Sequence, residues 1–396
     1  MKNDGKSSMT FFKTASGVAP TVALTVALIA AGANAAAAEG YRLRQSPVGV
    51  FGGEMAAPAD NTGFFGTASL TYLNIYKVVD ENGNKISVPA RAVPLPTNTQ
   101  AHIPVPDGTY TLNVPAGTIN YQQSQTQINL LGGYLTESSW AEGHIAFAVN
   151  LPLIQQHRTF SAAQPLGTVS PTPGAPLPTA LQGAIAAVAA GVNAQVQAGV
   201  AAAAASQNAD VTGLGDTELS MIWVRHRDRL KVAAGVSLFV PTGAYNKDRG
   251  PNPGYGNSYT LRPGVAVTYN LNPNHAAADW DAGVTIAARV SFGINSVNKD
   301  TDYRSGNFVY AETGLVKVMG SWAVGSNLLL IQQVSDDTGT GVAANGNRYR
   351  NYGVGPFLSY KIPGMDAGFN LQYSQNFGSR NALVAQSLQL RFIKAW

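Results

Sequence analysis

The sequence contains no cysteine and few charges, and these two shortages narrow the class of protein. Without cysteine the chain has no disulfides and no cysteine-ligated metals, which fits an oxidising compartment without proving one. Only 12% of the 396 residues are charged, against about 25% in typical soluble domains. Low charge combined with 42 glycines and 16 tyrosines suits a protein wall that faces lipid.

Long apolar runs are also scarce, because the main one lies at the N-terminus. Lys2, Lys6 and Lys13 precede an apolar stretch at 18–31, and small residues follow it. This order predicts a signal peptide over residues 1–38, cleaved after Ala35 or Ala38. The alternative is an uncleaved membrane helix, for which the run is short. Removing 1–38 lowers the net charge from +4 to +2, too little to indicate a nucleic-acid partner.

The stretch from Trp280 to Phe292 shows what the chain contains instead. Every second residue is apolar, and the residues between are small or polar. A period of two over this length predicts a strand. It is long enough for the roughly 9–11 residues that cross a bilayer at a tilt. In a transmembrane barrel the apolar face points to lipid and the polar face to the lumen.

Similar segments recur along the chain and predict an all-β protein, an antiparallel transmembrane outer-membrane β-barrel. We expect about twelve strands, within 10–14, at about 64–77, 119–135, 140–151, 216–224, 230–240, 259–271, 280–292, 307–318, 322–334, 348–362, 367–376 and 386–396. Residues 39–62 are predicted to be an N-terminal periplasmic or lumen-inserted segment, and 63–396 the barrel.

The predicted connections alternate between long and short, as in outer-membrane barrels. The long ones are placed on the extracellular side at 78–117, 155–212, 241–257, 293–306, 335–347 and 377–385. The two largest excursions are 78–117 and 155–212. The second contains an Ala-rich helical insertion, Thr179 to Ala205, interpreted as a marginal surface helix.

The tryptophans support the same threading. All five fall at predicted strand ends on the periplasmic side, which is typical of an aromatic girdle at a lipid–water interface: Trp140, Trp223, Trp280, Trp322 and Trp396.

From Gly213-Leu214-Gly215-Asp216 onward the chain resembles a known family. The resemblance rests on Val240–Tyr245, Asp300–Gly306, Gln332–Asp337, Gly353–Pro356 and Arg380-Asn381, with Ala38-Glu39-Gly40 similar to a mature N-terminus. These pieces resemble the family named for the meta-pathway of phenol degradation. The resemblance implies an outer-membrane barrel associated with aromatic catabolism that admits hydrophobic or aromatic compounds.

Catalysis is not expected, so we predict neither catalytic residues nor metal ligands nor cofactors. The five histidines stand beside no serine-nucleophile pattern, and none forms a metal-ligand pair at helical spacing. Residues with lumen parity are the candidates for lining a channel: Lys231, Arg262, Asp281, Thr285, Arg289, Gln372 and Arg391. Their charges either set the ion preference of a channel or pair to fill a narrow barrel. In the first case, Arg262 and Arg289 could form a basic strip favouring anions such as benzoates.

Two polar loops are expected at the extracellular mouth. One contains Asp300, Asp302, Tyr303 and Arg304, and the other begins with Asp336 and Asp337. The first either orients a polar substituent of a solute or is a turn whose carboxylates pair with Arg304. The second could hold a divalent cation, but it lacks calcium-loop spacing.

The leading hypothesis is a passive outer-membrane channel for small hydrophobic or aromatic compounds. Its partners would be outer-membrane lipid and lipopolysaccharide, the barrel assembly machinery and the solutes. The alternatives are a general diffusion porin for small hydrophilic solutes and a structural or adhesive surface barrel.

Overall fold

A computed structural model describes residues 43–44, 62–171, 179–248, 250–272, 283–342 and 346–396. These residues divide into two compact units. The smaller unit contains the described parts of 88–117 and 163–202, and the larger contains the rest. The predicted signal peptide, 1–38, and nearly all of 39–62 lie outside the described residues.

The larger unit is a closed antiparallel barrel. Each of its twelve long strands pairs with its neighbours along the barrel, and the first strand also pairs with the last, so the barrel is closed. The twelve strands are β1 Gly63–Val79, β2 Gly117–Trp140, β3 Gly143–Ala163, β4 Thr217–Arg227, β5 Leu230–Val240, β6 Thr260–Asn270, β7 Val284–Asn295, β8 Phe308–Met319, β9 Trp322–Gln333, β10 Arg350–Lys361, β11 Ala367–Arg380 and β12 Ala382–Ala395. The predicted fold and strand number are confirmed.

The barrel wall has the inverted polarity that the sequence predicts. On β12, Leu388 and Leu390 are 50% and 46% exposed, whereas Gln389 and Arg391 between and beside them are 5% and 2% exposed. Apolar side chains therefore cover the outside, and polar side chains point into the lumen.

The third strand is longer than predicted, since it continues past Leu151 to Ala163. Proline lacks a backbone donor for strand pairing, so Pro152 indicates the end of a strand in the sequence. The strand persists because a short strand, Ala209–Leu214, pairs with Leu153–Arg158. The carbonyl of Pro152 also accepts the backbone N–H of Gly215 at 2.8 Å.

The prediction of a long loop at 377–385 is wrong, because most of these residues belong to strands. Strands β11 and β12 are separated by Asn381 alone. Asn381 has φ +43° and Gly378 φ +56°, backbone conformations that asparagine and glycine adopt at small cost. These two residues allow a tight connection where the polar composition indicated a loop.

The smaller unit has a core of its own. An antiparallel sheet of Arg91–Pro94, Tyr110–Val114 and Thr168–Pro171 packs with helix α1, Gln182–Ala205. One face of α1 is buried against the sheet and the rest of the helix is exposed, so α1 lies at the surface of this unit and also contributes to its core. The buried stripe recurs at helical spacing and consists of Ile185, Ala189, Val192 and Val196. Alanines on the opposite face are also apolar, so the sequence shows little contrast between the two faces of the helix.

The helix Thr179–Ala205 is the one described helix that is long and apolar enough to cross a membrane by length and composition. A helix that packs in a protein core can satisfy the same criteria, and α1 packs against the sheet of the smaller unit.

The polarity of the wall can be tested with two adjacent residues at the middle of β1. Leu70 is exposed on the outer face, and Thr71 faces the lumen. We expect Leu70→Arg to lower the free energy of unfolding by about 2–4 kcal/mol, because it places a charge in hydrocarbon. Thr71→Arg should cost much less. Urea unfolding in lipid vesicles measures both values, and equal losses would contradict the assigned faces.

Candidate functional site

A cavity of about 270 Å³ lies inside the barrel. One part of its lining is apolar and includes Leu73, Ile75 and Leu383. The other part consists mainly of amides and hydroxyls from five adjacent strands, β3, β2, β1, β12 and β11, among them Gln125, Gln127, Asn150, Gln156, Gln372 and Gln389. An apolar cavity of ~150 Å³ is large enough to bind benzene, so this one has room for a single-ring compound.

The opposite side of the lumen carries buried ion pairs. Arg289 donates to Glu312 at 2.9 Å and to the hydroxyl of Tyr310 at 2.7 Å. Arg262 donates to Glu218 at 2.6 Å. All four charged side chains are at least 95% buried. Pairing of this kind compensates for the removal of the charges from water.

The carboxylate partners of Arg262 and Arg289 argue against the predicted basic strip. Arg262 and Arg289 do point into the barrel, but each has a carboxylate partner. Each pair is close to neutral, so the two guanidinium groups do not form a continuous anion-attracting surface. The geometry favours the alternative in which charges pair to fill a narrow barrel.

A third buried ion pair fixes part of the N-terminal segment inside the barrel. Arg44 donates to Asp216 at 2.6 and 2.8 Å, and also to the hydroxyls of Ser258 and Thr260, both at 3.1 Å. Leu43 belongs to a buried apolar cluster with residues of β8 and β9. These two residues border the cavity and restrict the lumen beside it.

The other predicted lumen residues occupy different environments. Gln372 lines the cavity. Arg391 is 2% exposed and donates to Gln389 at 2.5 Å. Lys231 and Thr285 are half-buried near the ends of their strands. Asp281 lies outside the described residues.

The amides of β2 are site residues that were not predicted from the sequence. The longest polar row along the cavity lies on this strand and consists of the inward-facing side chains Tyr121, Gln123, Gln125, Gln127 and Asn129. The signal was present as an amide at every second position. Glutamine at the outward position 122 obscured it, because it places amides on both faces of the strand.

The loops at the predicted mouth form a compact cluster. The hydroxyl of Tyr303 donates to Asp337, whose carboxylate also accepts the Gly306 N–H at 2.7 Å and the Gln333 amide at 2.5 Å. Arg304 contacts Asn307 at 3.5 Å, and this contact replaces the expected pairing with the loop carboxylates.

The remaining acidic residues of these loops are exposed. Asp300 and Asp302 lie at the surface, and Asp336 forms an exposed ion pair with Arg348 at 2.5 Å. Because Tyr303, Gly306, Gln333 and Asn347 already donate to Asp337, its oxygens are not arranged for a cation. Within the described ranges, no cluster of three or more histidine or acidic side chains could hold a metal.

Four of the predicted girdle tryptophans lie at or near the barrel end that has the short turns. Trp140, Trp322 and Trp396 are 64%, 48% and 68% exposed. The indole of Trp223 donates to the carbonyl of Trp140 at 3.0 Å. Trp280 lies outside the described residues.

The family follows from a match of the sequence. A family model described as "Putative MetA-pathway of phenol degradation" matches residues 134–392, more than half of the chain. The chain belongs to this family. The matched region contains nine complete strands of the barrel, β3 to β11, together with the carboxylates that pair with Arg44, Arg262 and Arg289. No curated protein matches the sequence.

Solved structures support the fold. An outer membrane channel from Pseudomonas putida F1 superposes with a TM-score of 0.53 at 13% identity, covering 89% of this chain and 100% of its own. The transport unit of the Escherichia coli autotransporter AIDA-I gives 0.41 at 7% identity, with coverages of 85% and 91%. The first of these similarities establishes an outer-membrane type of barrel, and the second is too distant to add to it.

The buried pair on β7 and β8 gives a prediction about stability. Glu312→Gln leaves the Arg289 guanidinium without its counter-charge, which we expect to cost about 3–5 kcal/mol. The double variant Arg289→Met/Glu312→Leu should recover most of that loss. Glu142→Gln, which breaks an exposed pair with Arg225, serves as the control and should cost at most about 1 kcal/mol. Urea titration in vesicles measures all three, and a neutral Glu312→Gln would contradict the pairing.

The mouth cluster gives a prediction about pH. Burial raises the pKa of Asp337 above its ordinary 3.8, although hydrogen bonds from Tyr303, Gly306 and Gln333 oppose the shift. The folded state therefore binds this proton more readily than the unfolded chain. Its contribution to stability is greatest below pH 3.8 and declines as pH rises through the raised value.

Hydrogen exchange at the Gly306 amide, corrected for the intrinsic rate at each pH, measures this change. We expect protection to fall as the pH rises above 3.8 in the native protein. Asp337→Asn should abolish the dependence, and Asp336→Asn, at the exposed neighbouring position, should retain it. Dependence that survives in Asp337→Asn would assign the effect to another group.

Proposed function

We propose that the protein is an outer-membrane channel for passive uptake of small hydrophobic or aromatic compounds, linked to aromatic catabolism. The main support is a closed barrel with an apolar outer wall, which encloses a cavity large enough for one aromatic ring. Part of the cavity lining is apolar, and part consists of amide side chains. The family description names phenol degradation, and the Pseudomonas putida neighbour is an outer membrane channel. Transport requires no covalent step and no cofactor.

The proposed arrangement in the membrane places the short turns in the periplasm and the long loops outside. The tryptophans at the short-turn end would then lie at the inner lipid boundary. Residues 1–38 would direct export, and the barrel assembly machinery would insert the chain beside lipopolysaccharide. The loop cluster of Tyr303 and Asp337 would border the external entrance.

The size of the lumen separates this proposal from a general diffusion porin. Apolar side chains fill parts of the lumen on both sides of the cavity, including Phe308 and Ile331 at one end and Leu135 and Ile222 at the other. A wide aqueous channel would need polar walls throughout. The observed packing favours a narrow route for one small compound at a time.

Planar-bilayer conductance of the refolded protein tests this. We expect a correctly folded barrel, verified by heat-modifiable gel mobility, to give little steady ion current, and cells expressing it to take up labelled aromatic compounds faster than cells without it. Heat-denatured protein is the control. A large steady conductance would support the general porin, whereas absent uptake with intact surface attachment would support the adhesive alternative.

A further inference from the structure

The inward side chains of β2 form one row with two hydrogen-bonded groups, Tyr121 with Gln123 and Gln125 with Gln127 and Asn129, and we call this row the amide ladder. Tyr121 donates to Gln123 at 2.7 Å, Gln125 to Gln127 at 2.9 Å, and Gln127 to Asn129 at 2.9 Å. Gln156 on β3 joins the ladder by donating to Gln125 at 2.7 Å.

Some of the amides around the cavity retain unused hydrogen-bonding atoms. Asn150, Gln156 and Gln372 are 8%, 4% and 3% exposed. Among the described residues, the Oδ1 of Asn150, the Oε1 of Gln156 and the Nε2 of Gln372 have no hydrogen-bond partner. All three side chains line the cavity. A buried polar atom without a partner is unfavourable, so the lining is suited to a ligand that brings both a donor and an acceptor.

The charged side chains that border the cavity already have hydrogen-bond or ion-pair partners. Arg44 pairs with Asp216, and Glu218 pairs with Arg262. Arg158 donates to the backbone carbonyls of Gln207 and Gly250 at 2.7 and 2.5 Å. A ligand that carries a carboxylate would have to be desolvated against amides, which compensate a full charge less well than a counter-ion does.

The apolar part of the lining would hold the body of the ligand. Leu73, Ile75, Leu383 and Ala385 border the cavity beside Tyr121. The Tyr121 ring in turn packs edge-on against Phe160, with 6.0 Å between the ring centroids. The apolar surface begins at the residue where the amide ladder ends, so a ring and its polar substituent can be accommodated together.

We infer that the amide ladder, together with Gln156 and Gln372, is a selectivity site for uncharged, hydroxyl-bearing aromatic rings. A hydroxyl group is both donor and acceptor, so it can pair with an unused amide oxygen such as Gln156 Oε1 or with the unused amide nitrogen of Gln372, whereas a hydrocarbon can pair with neither. The site discriminates against plain aromatic hydrocarbons and against aromatic carboxylates. This inference rests on the proposed function and specifies which members of the proposed substrate class the channel prefers.

A matched set of fluorinated probes tests the inference. The full-length barrel in nanodiscs is titrated with 4-fluorophenol, fluorobenzene or 4-fluorobenzoate, and bound probe is measured by fluorine NMR against empty nanodiscs. At pH 7 the phenol is uncharged, because phenolic hydroxyls ionise near pH ~10. We expect 4-fluorophenol to bind about tenfold more tightly than either analogue, the effect of one or two well-made hydrogen bonds.

Two variants connect the preference to the site. The double variant Gln125→Leu/Gln127→Leu removes the centre of the amide ladder, and Gln372→Leu removes an amide nitrogen that makes no hydrogen bond in the described structure. Both should lose the preference for 4-fluorophenol. Gln372→Leu should keep or raise the unfolding midpoint, so its effect on binding cannot come from misfolding. Gln122→Leu, on the outward face of the same strand, should leave the preference unchanged.

The outcomes separate this inference from the proposed function. Equal binding of the three probes, or a preference that survives both variants, would overturn the inference and leave an unselective aromatic channel. Tightest binding of 4-fluorobenzoate would replace it with an anion site. Binding of none of the probes, together with absent uptake in cells, would overturn the proposed function itself.

Discussion

The structure depends on one constraint, which is that backbone polar groups in hydrocarbon must be paired within the protein. The barrel meets it by joining β1 to β12 along fourteen residue pairs, from Phe65 with Ala395 to Val79 with Ala382. Closure places each strand between two partners and thereby divides the side chains into an outer and an inner set. The apolar exterior and the polar cavity are both consequences of this single pairing.

Closure also sets the electrostatics of the lumen. Charged side chains on inward positions are enclosed, so they persist where an opposite charge reaches them from another strand. Arg289 and Glu312 are direct cross-strand neighbours, whereas Arg262 reaches Glu218 across the intervening strand β5. The amides on the other side of the barrel need no counter-charge, which leaves that side free to line the cavity.

The sequence predicted the features that depend on local alternation. The fold class, the twelve strands, and the lumen parity of Gln372 and Arg391 follow from a period of two, and the structure has all of them. It did not reveal which charges pair, since the contact between Arg44 and Asp216 joins residues 172 positions apart. The strand β2 was also harder to identify from the sequence, because amides on both of its faces weaken the alternation that indicates a strand.

The two sides of the lumen place different restrictions on sequence change. The backbone pairing of β2 and β11 does not depend on which side chain stands at Gln127 or Gln372, so such positions can be replaced singly while the barrel is retained. A replacement of Arg289 leaves the buried carboxylate of Glu312 without its counter-charge, so Glu312 must be replaced as well. Across related chains, we therefore expect strongly coupled variation at the ion pairs and weaker coupling among the amides, which carry no charge. New solute preferences would arise by drift on one wall of the barrel only.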